Sequence, residues 1–168
     1  MESALISLTF DDGLRCQFEQ AVPILRRYDF VATFFLVANQ DATHDSWWRR
    51  KNDWWKIDWR EVDIAMLKQL VRDGHEIGSH SVTHDPNKMQ IQPDIEAGES
   101  KRLIEGWVGT NISSFGYPFY SSHAYLANPV RNAGYEQARG GAQARYYALP
   151  HDTTLDRYNV RLSSDFNG

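Results

Sequence analysis

Apolar and polar positions along this chain switch between two periods, and together they predict strands alternating with helices. ALISLTF (Ala4–Phe10) is a short apolar, β-branched run that stops abruptly at Asp11-Asp12-Gly13, as a buried strand entering a turn does. In CQFEQAVPILRRY (Cys16–Tyr28), Phe18, Val22 and Leu25 recur near helical spacing, and Pro23 is placed to kink that helix or to begin it. VATFFLV (Val31–Val37) reads as a second buried strand. The clearest helix is DWREVDIAMLKQLVRDG (Asp58–Gly74). Asp58 can cap it, with Glu61 in capping-box position. Val62, Ala65, Met66 and Leu70 form its apolar face, and Gly74 ends it. HEIGS (His75–Ser79) follows as a third strand, and PDIEAGESKRLIEGWVG (Pro93–Gly109) as a helix with Pro93 in its first turn. SSFGY (Ser113–Tyr117) is a fourth strand, ended by Pro118. AYLANPVRNAG (Ala124–Gly134) is helix-like but interrupted at Pro129, YEQARGG (Tyr135–Gly141) is a fifth strand and turn, and YNVRLSSD (Tyr158–Asp165) a sixth strand.

Such alternation argues for parallel strands joined by helical crossovers, hence an α/β barrel or an open sheet. The 168 residues suit one domain over 1–168. Eight βα units need about 250 residues, so a barrel of this length is expected to be incomplete. An incomplete barrel leaves strand edges and helix faces to cover, and self-association into a homo-oligomer is the expected remedy.

Composition narrows the function classes. Hydrophobic content of 42% and charged content of 24% are those of a soluble globular chain. A net charge of −4 offers no footprint for nucleic acid. No apolar run approaches the length of a membrane span. The opening MESALISLTF has no basic segment and no long apolar stretch, so it does not read as a signal peptide. A single cysteine, Cys16, excludes an internal disulfide and any multi-cysteine metal site. Four tryptophans crowd SWWRRKNDWWK (Ser46–Lys56). Packing against the domain is their ordinary reading; the functional one is an aromatic ledge on which sugar rings stack.

In a parallel α/β sheet, functional residues gather past the carboxyl ends of strands. Three stretches fall there: Asp11-Asp12-Gly13, the segment with His80 and His84, and Tyr117-Pro118-Phe119. Adjacent aspartates at a strand end point in different directions, so one can meet a cation while the other faces substrate. Asp-Gly alone is common in turns and carries little weight. His80 and His84 stand four apart, a spacing that brings both rings to one side. With Asp12 as third ligand they make a two-imidazole, one-carboxylate set suited to a divalent metal. His75 opens its strand at the opposite end and reads as structural. The same donor set serves non-haem iron oxygenases, but a second aspartate placed as a base favours hydrolysis.

SLTFDDG, ATFFL, GHEIGSHSVTH and SFGYPFY, in this order, resemble successive motifs of the polysaccharide deacetylases, the NodB-homology domains of carbohydrate esterase family 4. The resemblance runs from about Ala4 to Tyr135, and it implies a distorted (β/α) barrel. It implies removal of acetyl groups from N-acetylated sugars or O-acetylated xylan, with a divalent metal, most often zinc, and an acetylated oligo- or polysaccharide as partner. Matched position by position, Asp11 is the implied general base, and Asp12, His80 and His84 are the implied metal ligands. Tyr117, Pro118 and Phe119 are the implied groove wall, with the Phe119 N–H as oxyanion donor. The resemblance also implies a secreted or cell-surface setting.

Two departures stand out. Many members carry an arginine that orients the base where this chain has Gly116. Arg139 is placed to supply the charge, although a surface arginine is the favoured reading. Members also present a late Leu-x-His histidine as general acid. Here the letters occur only as Leu149-Pro150-His151, in a polar loop, so His151 is a weak candidate and the chain reads as truncated before the last strands. Two alternatives share the page with deacetylation: hydrolysis of a cyclic amide or ureide on the same fold, and metal or glycan binding with little turnover.

Overall fold

The computed structural model describes residues 7–39, 61–120, 124–140 and 147–148. Strands β1 (Thr9–Phe10), β2 (Thr33–Leu36), β3 (Glu76–Ser79), β4 (Ser114–Gly116), β5 (Gln137–Arg139) and β6 (Tyr147–Ala148) form one sheet in chain order. The first five are parallel, and β6 runs antiparallel to β5. Each strand pairs with its successor, as in a barrel wall rather than a doubly wound sheet, and the result is a curled half-barrel. Helices α1 (Val22–Arg27), α2 (Glu61–Arg72), α3 (Pro86–Ile91), α4 (Pro93–Val108) and α5 (Ala127–Asn132) lie between the strands in sequence.

Strand alternation sorts the side chains into two faces. One face carries Phe34, Leu36, Ile77, Phe115 and Ala138, which are buried with Leu67 of α2, Ile104 of α4 and Val130 of α5 in a single apolar core. Cross-strand register places Thr9, Thr33, Glu76, Ser114 and Gln137 on the other face. There the Glu76 carboxylate accepts from Thr33 Oγ1 at 2.6 Å, from the Ser114 hydroxyl, and from Gln137 Nε2 at 3.3 Å. One carboxylate thus ties four strands together below the rim. One tier higher, Phe35, Gly78, Gly116 and Arg139 share that face, and the Phe35 ring fills the space that the two glycines leave open.

Local chemistry explains most of the boundaries. The first helical segment opens with a π-helical turn, Gln17–Ala21, and Pro23 sits in the first turn of α1, where no N–H is needed. Gly74 adopts φ +87°, and the His75 N–H donates to the Leu70 carbonyl at 3.0 Å, which closes α2. Leu67 and Leu70 form the buried side of α2, with Met66 and Val71 partly buried, whereas Ala65 is exposed. The apolar face predicted through Ala65 is therefore rotated. A leucine pair three residues apart removes more apolar area from water than alanine can. Helix α3 was not legible in the hydrophobic pattern; Asp85 nucleates it by accepting from the Asn87 N–H at 2.8 Å, with Pro86 in its first turn. Strand β6 lies earlier than the sixth strand expected at Tyr158–Asp165, which falls outside the described residues, as do Asp58, the tryptophan cluster and His151. His75 is buried, accepts the Ala32 N–H on Nδ1 at 3.1 Å and stands edge-on to Phe34, a structural role.

A methyl group at Gly78 would lie 2.7 Å from Phe35 Cδ1 and 2.9 Å from the Ser114 carbonyl oxygen. Gly78→Ala is therefore expected to cost about 1–3 kcal/mol of unfolding free energy. Gly98 in α4 has open space around it, and Gly98→Ala is expected to gain about 0.5–1 kcal/mol. Urea unfolding of both variants measures this; the same stability in both would contradict the packing described.

Candidate metal and catalytic site

The three stretches singled out in the sequence meet at the carboxyl ends of β1, β3 and β4. Asp12, in the turn after β1, has φ 77°, and Gly13 after it has φ 69°. Gln17 braces this turn: its Nε2 donates to the Asp11 carbonyl at 2.5 Å while its Oε1 accepts from the Leu14 N–H at 3.1 Å. Nothing in the sequence pattern marks Gln17 for this task.

Past β3, His80 and His84 are buried, and their ring centroids lie 4.8 Å apart. Asp12 Oδ1 lies 3.4 Å from His80 Nε2 and 3.2 Å from His84 Nε2. One ligand atom from each of the three residues falls within 4.8 Å of the others. His80 Nδ1 is 2.7 Å from the Gly116 carbonyl oxygen, which can only accept, so Nδ1 carries the proton. With the proton on Nδ1, Nε2 is the ring nitrogen that faces Asp12. Burial, assisted by His80, pushes the His84 pKa down to about 2, so the His84 ring is neutral. Burial pushes the Asp12 carboxyl up to about 6, against the opposing pull of His80. Two imidazole lone pairs and a desolvated carboxylate facing one another fit a divalent cation, and the carbonyl bond behind His80 is the kind of outer contact that orients a metal-binding imidazole.

The second aspartate turns the other way. Asp11 accepts a charge-assisted hydrogen bond from Arg139 Nη2 on β5, with both side chains largely buried. The Arg139 guanidinium lies over the Phe35 ring, 5.0 Å from its centroid. Arg139 is therefore not the surface residue that was favoured. It reaches Asp11 alongside Gly116, its register partner on β4. Gly116 explains why this charge does not come from β4: a Cβ there would meet His80 Nδ1 at 3.0 Å and Phe35 Cγ at 3.1 Å.

Of the three residues expected to wall a groove, only Phe119 reaches the surface. Tyr117 and Pro118 are buried, and Tyr117 packs edge-on against Phe115 in the core, where burial pushes its hydroxyl pKa up to about 12. Phe119 is 52% exposed, its ring centroid is 4.5 Å from that of His84, and its φ is 51°. Among the described residues, five that are not glycine have positive φ, and four of them stand here: Asp12, Ser81, His84 and Phe119. Such conformations cost of order 1–3 kcal/mol each and cluster at sites where geometry matters more than stability.

Known proteins resemble this chain in sequence and in fold. The family description "Polysaccharide deacetylase" matches residues 1–138. A chitin deacetylase of Colletotrichum lindemuthianum is 25% identical over 98% of this chain and 63% of its own length. A peptidoglycan-N-acetylglucosamine deacetylase of Bacillus cereus is 28% identical over 62% of this chain and 41% of its own. The chain thus spans less than two thirds of the length of these relatives. Among solved structures, a Streptococcus pyogenes deacetylase in complex with acetate superposes with a TM-score of 0.63 at 19% identity, covering 80% of this chain and 54% of that one. A family 4 carbohydrate esterase from Streptomyces lividans, also with acetate, gives 0.59 at 23% identity, covering 79% and 60%. These two share the fold. Matched by the family description over most of its length, the chain belongs to the polysaccharide deacetylase family.

Proposed function

We propose that this chain is a metal-dependent hydrolase that removes acetyl groups from an N-acetylated or O-acetylated carbohydrate. The observation that carries the proposal is the convergence of Asp12, His80 and His84 on one point of the rim, beside a second carboxylate held by a buried arginine. The named relatives act on chitin and on peptidoglycan N-acetylglucosamine, which favours an N-acetylglucosamine polymer as substrate class.

Asp12 Oδ1, His80 Nε2 and His84 Nε2 are the atoms that would hold the ion. A divalent ion bound there, with zinc first among candidates for this nitrogen and oxygen set, supplies Lewis acidity toward the acetyl carbonyl and lowers the pKa of water. Asp11 accepts a proton from the attacking water as its oxygen bonds to the carbonyl carbon. Arg139 keeps the Asp11 carboxylate oriented for that transfer. The Phe119 N–H donates to the carbonyl oxygen as negative charge collects there. The bond from the acetyl carbon to nitrogen or oxygen then breaks, the leaving atom takes up the proton that Asp11 accepted, and acetate departs. Phe119, exposed beside His84, offers a ring against which a sugar face can rest.

The direct test is acetate release from acetylated chito-oligosaccharides and acetylated xylo-oligosaccharides, before chelation, after it, and after zinc is returned. Release that ignores the chelator would count against a metal-dependent reaction, and no release from either class would count against deacetylation. His84→Ala is expected to abolish stoichiometric metal uptake while far-UV circular dichroism stays unchanged; metal content by mass spectrometry checks this. Asp11→Asn is expected to keep the metal and lose about 10²–10⁴-fold in turnover. Arg139→Met should also keep the metal, with a smaller fall in kcat than Asp11→Asn. Turnover near the parent rate in Asp11→Asn would remove Asp11 from the role of base.

A further inference from the structure

We infer that Glu96 of α4 is the positioning residue for the metal site: its buried carboxylate holds the loop on which His80 and His84 stand. This rests on the metal reading above, and it concerns a residue that touches neither the ion nor the substrate.

The loop between the histidines is not a relaxed one. Ser81 has φ 69° and His84 has φ 55°, conformations that side-chain-bearing residues avoid. Something must over-determine it. Ser81 is tied by the Ala38 N–H donating to its carbonyl at 3.0 Å, by its own N–H donating to Ser79 Oγ at 3.2 Å, and by its hydroxyl accepting the His84 N–H at 3.0 Å. For Val82 and Thr83 the partner is Glu96. Its Oε2 accepts both backbone N–H groups at 3.0 Å, and its Oε1 accepts the Thr83 hydroxyl at 2.9 Å.

Glu96 is 1% exposed, a position that charged side chains rarely take without strong partners. It occupies the buried stripe of α4 with Ala97, Ser100, Ile104 and Val108. An apolar side chain would serve the packing of α4 there. A carboxyl group serves the loop instead, because its two oxygens accept from three donors at once. The next turn of the same helix repeats the arrangement more weakly: Ser79 Oγ donates to Ser100 Oγ at 2.7 Å, so α4 grips the residues on both sides of His80. The ring spacing that brings both imidazoles to Asp12 is thus set from a helix on the far side of the loop.

The test uses the metal-free protein with zinc ion alone as probe, titrated against a chromophoric chelator at a temperature where every variant is fully folded. Glu96→Leu keeps the volume and removes all three bonds; its zinc Kd is expected to rise about 10–100-fold, the usual effect of losing an outer contact of a metal site. Glu96→Gln is the conservative rescue: its amide oxygen can accept both backbone N–H groups while its NH2 faces the Thr83 hydroxyl, so its Kd should stay near the parent value. Ile104→Ala, lower on the same helix, should lower Tm without moving Kd. Amide hydrogen exchange at Val82 and Thr83 should quicken in metal-free Glu96→Leu and not in Glu96→Gln.

A parent-like Kd in folded Glu96→Leu would overturn the inference, and so would an equal rise in Ile104→Ala, which would make the effect one of overall stability. If Glu96→Leu does not fold, Thr83→Val decides. It deletes one of the three donors and should bind zinc more weakly than the parent; an unchanged Kd overturns the inference. No zinc uptake by the parent would overturn the metal reading and this inference together, whereas uptake by the parent with no effect of Glu96 overturns this inference alone.

Discussion

One ligand atom from each of Asp12, His80 and His84 must be held within 4.8 Å of the others, and the rim of this half-barrel is organised around that convergence. Asp12 comes from the turn after β1, and His80 and His84 from the loop after β3, so two separate strand ends must be held in register. Parallel pairing of β1, β2 and β3 sets that register. The bond from His80 to the Gly116 carbonyl draws β4 into the same frame. Two imidazoles and a desolvated carboxylate are a donor set that suits a divalent ion.

Beneath the rim, a single aromatic ring mediates between the two carboxylates. Phe35 fills the space over Gly78 and Gly116, tilts against His80 and carries the Arg139 guanidinium on its face. A side chain at Gly116 would press on both Phe35 and His80, which would have to give by a few tenths of an ångström. The positive charge comes from β5, one strand over, and reaches the same aspartate.

The sequence carried the alternation of strands and helices as far as β5, the helix end at Gly74 and the residues Asp11, Asp12, His80 and His84, because each leaves a short-range mark. A β-branched run ending in Asp-Asp-Gly, a glycine after a helical stripe and a histidine pair four apart can all be read locally. What it did not carry depends on tertiary contacts. Arg139 looks like any arginine near a strand end until β5 is seen beside β4. Tyr117 and Pro118 read as rim residues, yet they turn inward and leave Phe119 alone at the surface. Gln17 and Glu96 are polar residues that brace backbone groups of loops, Asp11 and Leu14 for the first and Val82 and Thr83 for the second, and no motif marks them for it. For Glu96 there was one local sign, an acidic residue on the buried stripe of a helix, which is a conflict that structure resolves.

Asp12, His80 and His84 are proposed to form a metal centre. Anomalous diffraction at the zinc edge, from crystals grown with zinc, tests it most directly. The account predicts one strong peak about 2.0–2.2 Å from Asp12 Oδ1, His80 Nε2 and His84 Nε2. An empty rim, or a peak bound elsewhere while these three side chains hold the same positions, would contradict it.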